Sequence, residues 1–322
     1  MRHRVLAVFL FLNFTVVGSP QESVTKETVD SWMAELSNWG RWGEDDQRGT
    51  INLITPAKRR EAAALVTEGF SVSLAREVEK EPAPDNPRPF GHKMLNAGQS
   101  GSQFVTDEYS VEYHGLAHTH FDTLAHMSFE GKSYNGFEMA NVNEEGAPHL
   151  AVTNFKDGIF TKGVLFDIPH LKGVDWLEPR TAIYSEDLDA WEKMSGVRVE
   201  AGDVVFIYTG RWKRRDTQGA GKGGEGWAGV HASTAKWFHD RDIAMIGSDV
   251  ISDVMPSGVE GVRQPIHQLM LVAMGTPIFD ACDLEVLAEA ARARGRWEFL
   301  ITAAPIPVGQ GTGSPLNPVA TF

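Results

Sequence analysis

The histidine-rich run that ends at His126 is the feature of this chain that most constrains its fold and chemistry. Of the 11 His in 322 residues, four fall at positions 114, 118, 120 and 126, and Asp122 lies among them. On an extended strand alternate side chains point to the same face, so His118, His120 and Asp122 are predicted to project together. Two imidazoles and a carboxylate suit Zn²⁺, Mn²⁺ or Fe²⁺. The sequence therefore predicts a metal site on one short β segment.

Composition favours a globular protein that acts on small molecules. The content of 42% hydrophobic residues is enough for a packed core. The net charge of −13, without any basic and aromatic-interleaved segment, predicts neither nucleic acid nor an anionic membrane as partner. Cys282 is the single cysteine, so no disulfide can form within the chain.

The N-terminus has the layout of a secretory signal peptide. Arg2 and Arg4 give a positive start, an apolar run extends from Val5 to Val17, and small residues follow at 18 and 19. We expect residues 1–19 to be a leader and the protein to be secreted or periplasmic, with no membrane span after leader removal. A buried N-terminal helix is the alternative.

Helix and strand signals alternate along the rest of the chain. Thr55-Pro56 is a typical helix start, and the Pro-rich segment 81–89 is predicted to be an exposed connection. Such mixing indicates an α/β or α+β layered domain. The predicted helices are 57–68, 233–241 and 284–294, and the predicted strands are 70–75, 110–122 (one strand or a strand pair), 163–168, 203–209, 243–248 and 297–303.

The metal run also resembles a known family. Thr119-His120-Phe121-Asp122-Thr-Leu-Ala-His126 matches the second half of His-x-Gly-Thr-His-x-Asp-x-Pro-x-His. This motif marks the cyclase family, which includes bacterial kynurenine formamidase, isatin hydrolase and trans-dienelactone hydrolase. Further segments resemble the family at 42–56, 202–210, 246–249, 265–267 and 277–280. The resemblance implies one cyclase-like domain over 30–322, an α/β swivelling β/β/α fold with a central mixed β-barrel or sandwich surrounded by helices.

The resemblance also implies roles for individual residues. His120 and Asp122 would bind metal, and His267 and Asp280 would serve a second metal position. The family's first His falls at Leu116, so that His118, which stands at the motif's Gly, or His114 would replace it. Asp280 stands where the family has Glu, which leaves open whether one or two ions bind. Family members are commonly oligomeric, which predicts a homodimer or higher homo-oligomer.

The chemistry expected of such a site is hydrolysis. A divalent ion lowers the pKa of bound water toward about 7 and polarises a carbonyl. His126 is predicted to shuttle the proton to the leaving group, or alternatively to orient Asp122. Trp42 and Phe137 are candidates for an aromatic substrate pocket, and Arg211 for gripping a substrate carboxylate. Core packing and a solvated basic loop are the respective alternatives.

We therefore expect a metal-dependent hydrolase, with Zn²⁺ or Mn²⁺, that cleaves an amide, imide or lactone bond of a small substrate. One alternative is a secreted metal-binding module without activity, which the Leu116 departure favours. Another is a non-haem Fe(II) oxygenase, because His120, Asp122 and His267 imitate its two-His-one-carboxylate triad. Oxygenases that use 2-oxoglutarate have an Arg about ten residues beyond the distal His. Here the first Arg after His267 is Arg292, which argues against this alternative.

Overall fold

The computed structural model describes residues 24–222 and 224–322. The predicted leader at residues 1–19 lies outside the described residues. Within the described ranges, no helix combines the length and apolar character that crossing a membrane requires.

The described part of the chain alternates short strands and helices. The strands are β1 (Ser71–Ser73), β2 (Gly91–Asn96), β3 (Thr106–Ser110), β4 (His120–Asp122), β5 (Ile159–Asp167), β6 (Ala182–Ile183), β7 (Val204–Tyr208), β8 (Gly229–Val230), β9 (Met245–Ser248), β10 (Ile278–Asp280), β11 (Glu298–Ala303), β12 (Gly313–Pro315) and β13 (Val319–Thr321). The α-helices are α1 (Lys26–Glu35), α2 (Pro56–Ala63), α3 (Ile168–Lys172), α4 (Ser185–Ser195), α5 (Arg211–Gln218), α6 (Thr234–Asp240), α7 (Pro265–His267) and α8 (Glu285–Arg294). A π-helix, Gln268–Met274, continues α7, and short 3₁₀ turns lie at Gly49–Leu53, Tyr134–Gly136, Met139–Asn141 and Val152–Phe155.

A nine-stranded mixed sheet forms the centre of the domain. Its order is β1-β13-β11-β5-β7-β9-β10-β4-β12, and β5, β7, β9 and β10 are mutually parallel while the other pairs are antiparallel. Helices surround this sheet. Two smaller pairs stand apart from it, the antiparallel hairpin β2–β3 and the parallel pair β6–β8. The predicted single α/β domain with a central mixed sheet is confirmed.

The parallel centre of the sheet is buried on both faces, as parallel strands usually are. Every residue of β7 and β9 is buried. Phe206 of β7 and Phe279 of β10 stack with ring centroids 6.1 Å apart. Gly247 lies beside them, and a Cβ there would come within 2.7 Å of the Phe206 ring. The core therefore fixes β9 and β10 tightly, and these strands lead to the site described below.

The prediction of one strand over 110–122 is wrong. The chain forms β3, which ends at Ser110, and β4, which begins at His120, with irregular backbone between them. The two strands belong to different sheets, so the chain has to leave the outer hairpin and enter the central sheet over this stretch. Of the expected alternating triplet, only His120 and Asp122 lie on a strand.

The Pro-rich connection is mostly exposed, but Asp85 and Asn86 within it are buried. Asp85 is held there by ion pairs to Arg211 at 3.0 Å and to Arg215 at 2.8 Å. A carboxylate that leaves water requires such partners.

Candidate metal centre

Strand β4 brings its two polar residues to one face of the sheet. It lies between β10 and β12, and its antiparallel register with β10 sets His120 opposite Asp280. Directly opposite residues of an antiparallel pair share a face. Phe121 points the other way, into the core, and packs against Phe279 at 5.7 Å between ring centroids. The hydrophobic side of β4 thus fixes the orientation of its histidine and carboxylate.

His120, Asp122 and Asp280 form the first group with metal-ligating chemistry. One ligand atom from each lies within 4.8 Å of the others, and all three residues are buried. His120 Nε2 lies 3.5 Å from Asp122 Oδ1. Nδ1 of His120 donates a 2.8 Å hydrogen bond to the carbonyl of His118, which leaves Nε2 as the nitrogen that faces the carboxylates.

His267 joins this group from a different part of the chain. Its Nε2 lies 3.2 Å from Asp280 Oδ2 and 3.8 Å from Asp122 Oδ2. Its Nδ1 lies 2.6 Å from Asp253 Oδ2, and Asp253 also accepts the backbone N–H groups of Ile266 and His267. A histidine that donates its other N–H to a carboxylate is held in the orientation and tautomer that a metal needs.

A second group shares Asp122 with the first. It consists of His114, Asp122 and His126, again with ligand atoms within 4.8 Å of one another. His114 Nδ1 lies 2.7 Å from Asp122 Oδ1, and His126 Nε2 lies 4.0 Å from Asp122 Oδ2. The rings of His114 and His126 stack at 4.0 Å. His114 Nε2 is fixed by Thr312 Oγ1 at 3.1 Å.

His118 lies outside both groups. Of the two candidates that the sequence left for the missing first ligand, the structure brings His114 to Asp122 and not His118. His118 precedes β4, so the alternation of a strand does not apply to it. It is only 7% exposed, and neither of its ring nitrogens has a hydrogen-bond partner in the part of the chain that the structure describes.

Burial and neighbouring groups shift the pKa values of several side chains in the cluster. Burial raises the pKa of Asp122, but the nearby imidazoles of His120 and His126 outweigh burial and hold that pKa well below its usual range. Burial lowers the pKa of His267, yet hydrogen bonds to Asp122, Asp253 and Asp280 carry it well above the usual value. For His126, burial dominates and lowers the pKa to about 4.

The residues fit a divalent cation. Asp122 Oδ1 and His114 Nδ1 are buried and lie 2.7 Å apart, but among the described residues neither atom makes a hydrogen bond of suitable geometry. Buried polar atoms without partners are rare, and a shared cation would satisfy both. Imidazole nitrogens and carboxylate oxygens are common ligands of Zn²⁺ and Mn²⁺.

The three predicted substrate residues lie in different surroundings. Arg211 is nearly buried, and its guanidinium is occupied by Asp85 and by the carbonyl of Leu116. Burial lowers its pKa to about 10. Arg211 is thus no solvated loop residue, and a substrate carboxylate would have to displace Asp85.

Trp42 and Phe137 are both half-buried. Arg41 lies over the Trp42 ring at 4.7 Å, and Phe137 stacks on His149 at 4.6 Å while it packs against the core. These contacts do not involve either histidine–carboxylate group.

Sequence reasoning missed the supporting residues. Asp253, to which the sequence analysis assigned no role, orients His267. Ser252 donates its hydroxyl to Asp280 Oδ1 at 3.1 Å, and Thr312 positions His114. No spacing signal connects these residues to their partners, since Asp253 is 14 positions from His267 and Thr312 is 198 positions from His114.

The fold and the site together define a mixed α/β protein with a buried histidine–carboxylate cluster suited to a divalent cation. The model of the family described as "Putative cyclase" matches residues 50–253. The chain therefore belongs to the cyclase family. No curated protein matches the chain.

This chain shares its fold with several solved structures. A crystal structure described as that of a novel cyclase is 29% identical, with a TM-score of 0.81 over 89% of this chain and 100% of that one. Isatin hydrolase A from Ralstonia solanacearum is 21% identical, with a TM-score of 0.56 over 78% of this chain and 91% of that one. Isatin hydrolase A from Labrenzia aggregata, bound to benzyl benzoate, is 19% identical, with a TM-score of 0.58 over 80% and 94%.

Proposed function

We propose that the protein is a metal-dependent hydrolase that opens an amide, imide or lactone bond of a small cyclic or aromatic substrate. The proposal depends mainly on the position of Asp122. This buried carboxylate belongs to both groups of potential metal ligands, His114–Asp122–His126 and His120–Asp122–Asp280. Membership of the cyclase family supports the proposal. The isatin hydrolases share the fold, which supports hydrolysis as the reaction of this chain.

Each group has a defined task in this proposal. His120, Asp122, Asp280 and His267 would hold one ion, and His114 would hold Asp122 from the other side or contribute to a second ion. Zn²⁺ or Mn²⁺ would supply Lewis acidity, which polarises a carbonyl and makes water acidic enough to ionise near neutral pH. Asp253 and Thr312 would keep His267 and His114 in the required tautomers.

His126 is the candidate for proton transfer. Its side chain is 27% exposed, whereas those of Asp122 and His267 are almost fully buried. It can therefore reach both the cluster and an incoming substrate. The stacked ring of His114 fixes its plane. A histidine in this position can accept a proton from water and return it to the leaving group.

Metal analysis of the purified protein, followed by assays of the metal-loaded form against N-formylkynurenine, isatin and dienelactone, tests the proposal. We expect stoichiometric metal and hydrolysis of at least one of these compounds. Full activity after complete removal of metal by a chelator would contradict it. Stoichiometric metal without hydrolysis of any compound in the panel would favour the non-catalytic metal-binding module instead.

We further propose that residues 1–19 direct export and that the protein forms a homodimer or higher homo-oligomer. The sequence layout supports the first point. Apolar side chains exposed on the β2–β3 hairpin and its turn support the second, since such patches commonly mark interfaces. N-terminal sequencing of the exported protein and light scattering of the purified one test these points separately.

A further inference from the structure

An open cleft lies beside the candidate metal centre. Its volume is about 1170 Å³ including its mouth. Its walls come from the segment 75–78 after β1, which contributes the charged residues Arg76 and Glu77, from the β2–β3 hairpin and from the segments around β12. They are largely apolar and include Val78, Phe90, Tyr109, Ile306 and Leu316. Phe90 and Tyr109 stack at 5.4 Å and form an aromatic wall. Several of these apolar side chains are exposed, so a ligand in the cleft would remove them from water.

The cleft is continuous with the strands that carry the cluster. Pro315, which lines it, pairs with His120 in the β4–β12 register. The N–H of Leu316 donates to the carbonyl of Thr119 at 3.3 Å, which fixes the floor of the cleft to the residue before β4. A molecule in this cleft would therefore lie next to the backbone that positions His120.

His118 is the polar residue between the cleft and the cluster. It lines the cleft, and it also lines a smaller cavity on the side of His114. It is more than nine-tenths buried, and the Phe90 ring meets it edge-on at 5.9 Å. Within residues 24–222 and 224–322, neither of its ring nitrogens has a hydrogen-bond partner. Buried polar groups normally have partners, so an unpartnered imidazole beside an apolar cleft points to a ligand that supplies one.

We propose that His118 determines substrate specificity, by hydrogen bonding a polar substituent on an aromatic substrate whose ring lies against Phe90 and Tyr109. The inference rests on the proposed hydrolase, and it names the substrate class: a flat apolar body that carries one hydroxyl, carbonyl or amide group. It assigns His118 to recognition and not to metal binding. A site built to pair with such a group discriminates against analogues that lack it, because its own polar atoms would then stay unpaired.

The first test measures binding without turnover. Phenol and toluene have similar shapes but differ in the hydroxyl, and their dissociation constants can be measured by ligand-observed NMR with the metal-loaded protein. In His118→Phe the preference for phenol over toluene, expressed as the ratio of the two dissociation constants, should fall by about 2- to 13-fold relative to the wild type, the size of one net hydrogen bond. His118→Gln retains a donor and an acceptor and should keep part of the preference. His239→Phe on α6, a histidine outside the cleft and the metal groups, should leave the ratio unchanged.

A second measurement uses the wild type alone and does not depend on a variant folding. The ring ¹⁵N resonances of His118 should shift on titration with phenol and stay in place with toluene. The inference would be overturned if the ratio of the phenol and toluene dissociation constants were the same in the wild type and in folded His118→Phe. It would also be overturned if the His118 ring resonances did not shift on addition of phenol. Loss of bound metal in folded His118→Phe would also overturn it, because His118 would then be a ligand.

Failure of this inference and failure of the proposed function give different results. If the protein hydrolyses a member of the assay panel but His118→Phe does not change the preference for phenol over toluene, the protein is a hydrolase whose specificity depends on another residue. A protein that selects phenol through His118 but hydrolyses nothing retains the binding site and loses the proposed reaction. If both hold, His118→Phe should raise KM for a substituted aromatic substrate more than it lowers kcat.

Discussion

Asp253 Oδ2 lies 2.6 Å from His267 Nδ1, and this contact aims the opposite nitrogen of the ring at Asp122 and Asp280. The same carboxylate accepts the N–H groups of Ile266 and His267, so that it holds both the backbone and the ring at the start of α7. His267 would therefore be presented to a metal in a single orientation.

The first prediction concerns this supporting carboxylate. Asp253→Asn should lower metal affinity by about 10- to 100-fold, because an amide no longer fixes the tautomer and basicity of His267. Competition with a chromogenic chelator measures the affinity. Asp249→Asn is a matched control, since Asp249 is equally buried but accepts its hydrogen bonds from Thr209, Gly210 and Arg211 and not from a candidate metal ligand of the described chain. An unchanged affinity in Asp253→Asn would show that His267 does not bind metal.

Removal of a direct ligand should have a larger effect. His120→Ala should abolish both bound metal and turnover. In the wild type, a cation at about 100 times its Kd should stabilise the native state by about 2.7 kcal/mol, since it binds the folded protein and not the unfolded chain. Thermal unfolding with metal and with chelator detects this difference. A metal-dependent rise in Tm that persists in His120→Ala would exclude His120 as a ligand, and exposed His149→Ala provides the variant in which the rise should remain.

A different pattern is expected for His126. His126→Ala should retain the ion held by the His120 group but reduce kcat by about 10²- to 10⁴-fold, the usual contribution of a general acid or base. Metal content and steady-state kinetics measured on one preparation separate the two roles. Loss of metal together with activity would assign His126 to ligation, and full activity would remove it from the mechanism.

Much of the fold could be predicted from local patterns. The Thr55-Pro56 start of α2 is confirmed, and the Thr55 side chain accepts the Lys58 N–H as an N-cap should. The apolar runs at 163–168 and 203–209 lie in β5 and β7 because central parallel strands are hydrophobic throughout. Helix α2 ends at Ala63, not at 68, since the helical pattern does not specify where tertiary contacts stop it.

The candidate site was predicted less completely. His120 and Asp122 follow from alternation on a strand, and the family resemblance supplied His267 and Asp280. The β4–β10 register places Asp280 opposite His120. The alternation expected at His118 did not take account of the change of sheet between β3 and β4, which leaves His118 before the start of β4. The position of His114 depends on the path of the irregular segment, which no short-range pattern encodes.

The last prediction concerns stability away from the site. Asp203 is fully buried at the start of β7, where it lies 2.7 Å from Lys58 Nζ and 3.1 Å from Lys162 Nζ. Burial raises the pKa of Asp203 in spite of the two lysines. Asp203→Ala would remove the fully buried partner of two nearly buried ammonium groups, which would keep only the more exposed carboxylates of Glu61, Glu200 and Glu298. The free energy of unfolding should fall by up to about 3–5 kcal/mol. Glu200→Ala removes a carboxylate from the same lysines, but Glu200 is 58% exposed, so the loss should stay below about 1 kcal/mol. Urea denaturation of both variants measures the difference, and equal losses would show that burial of Asp203 adds nothing to its pairing.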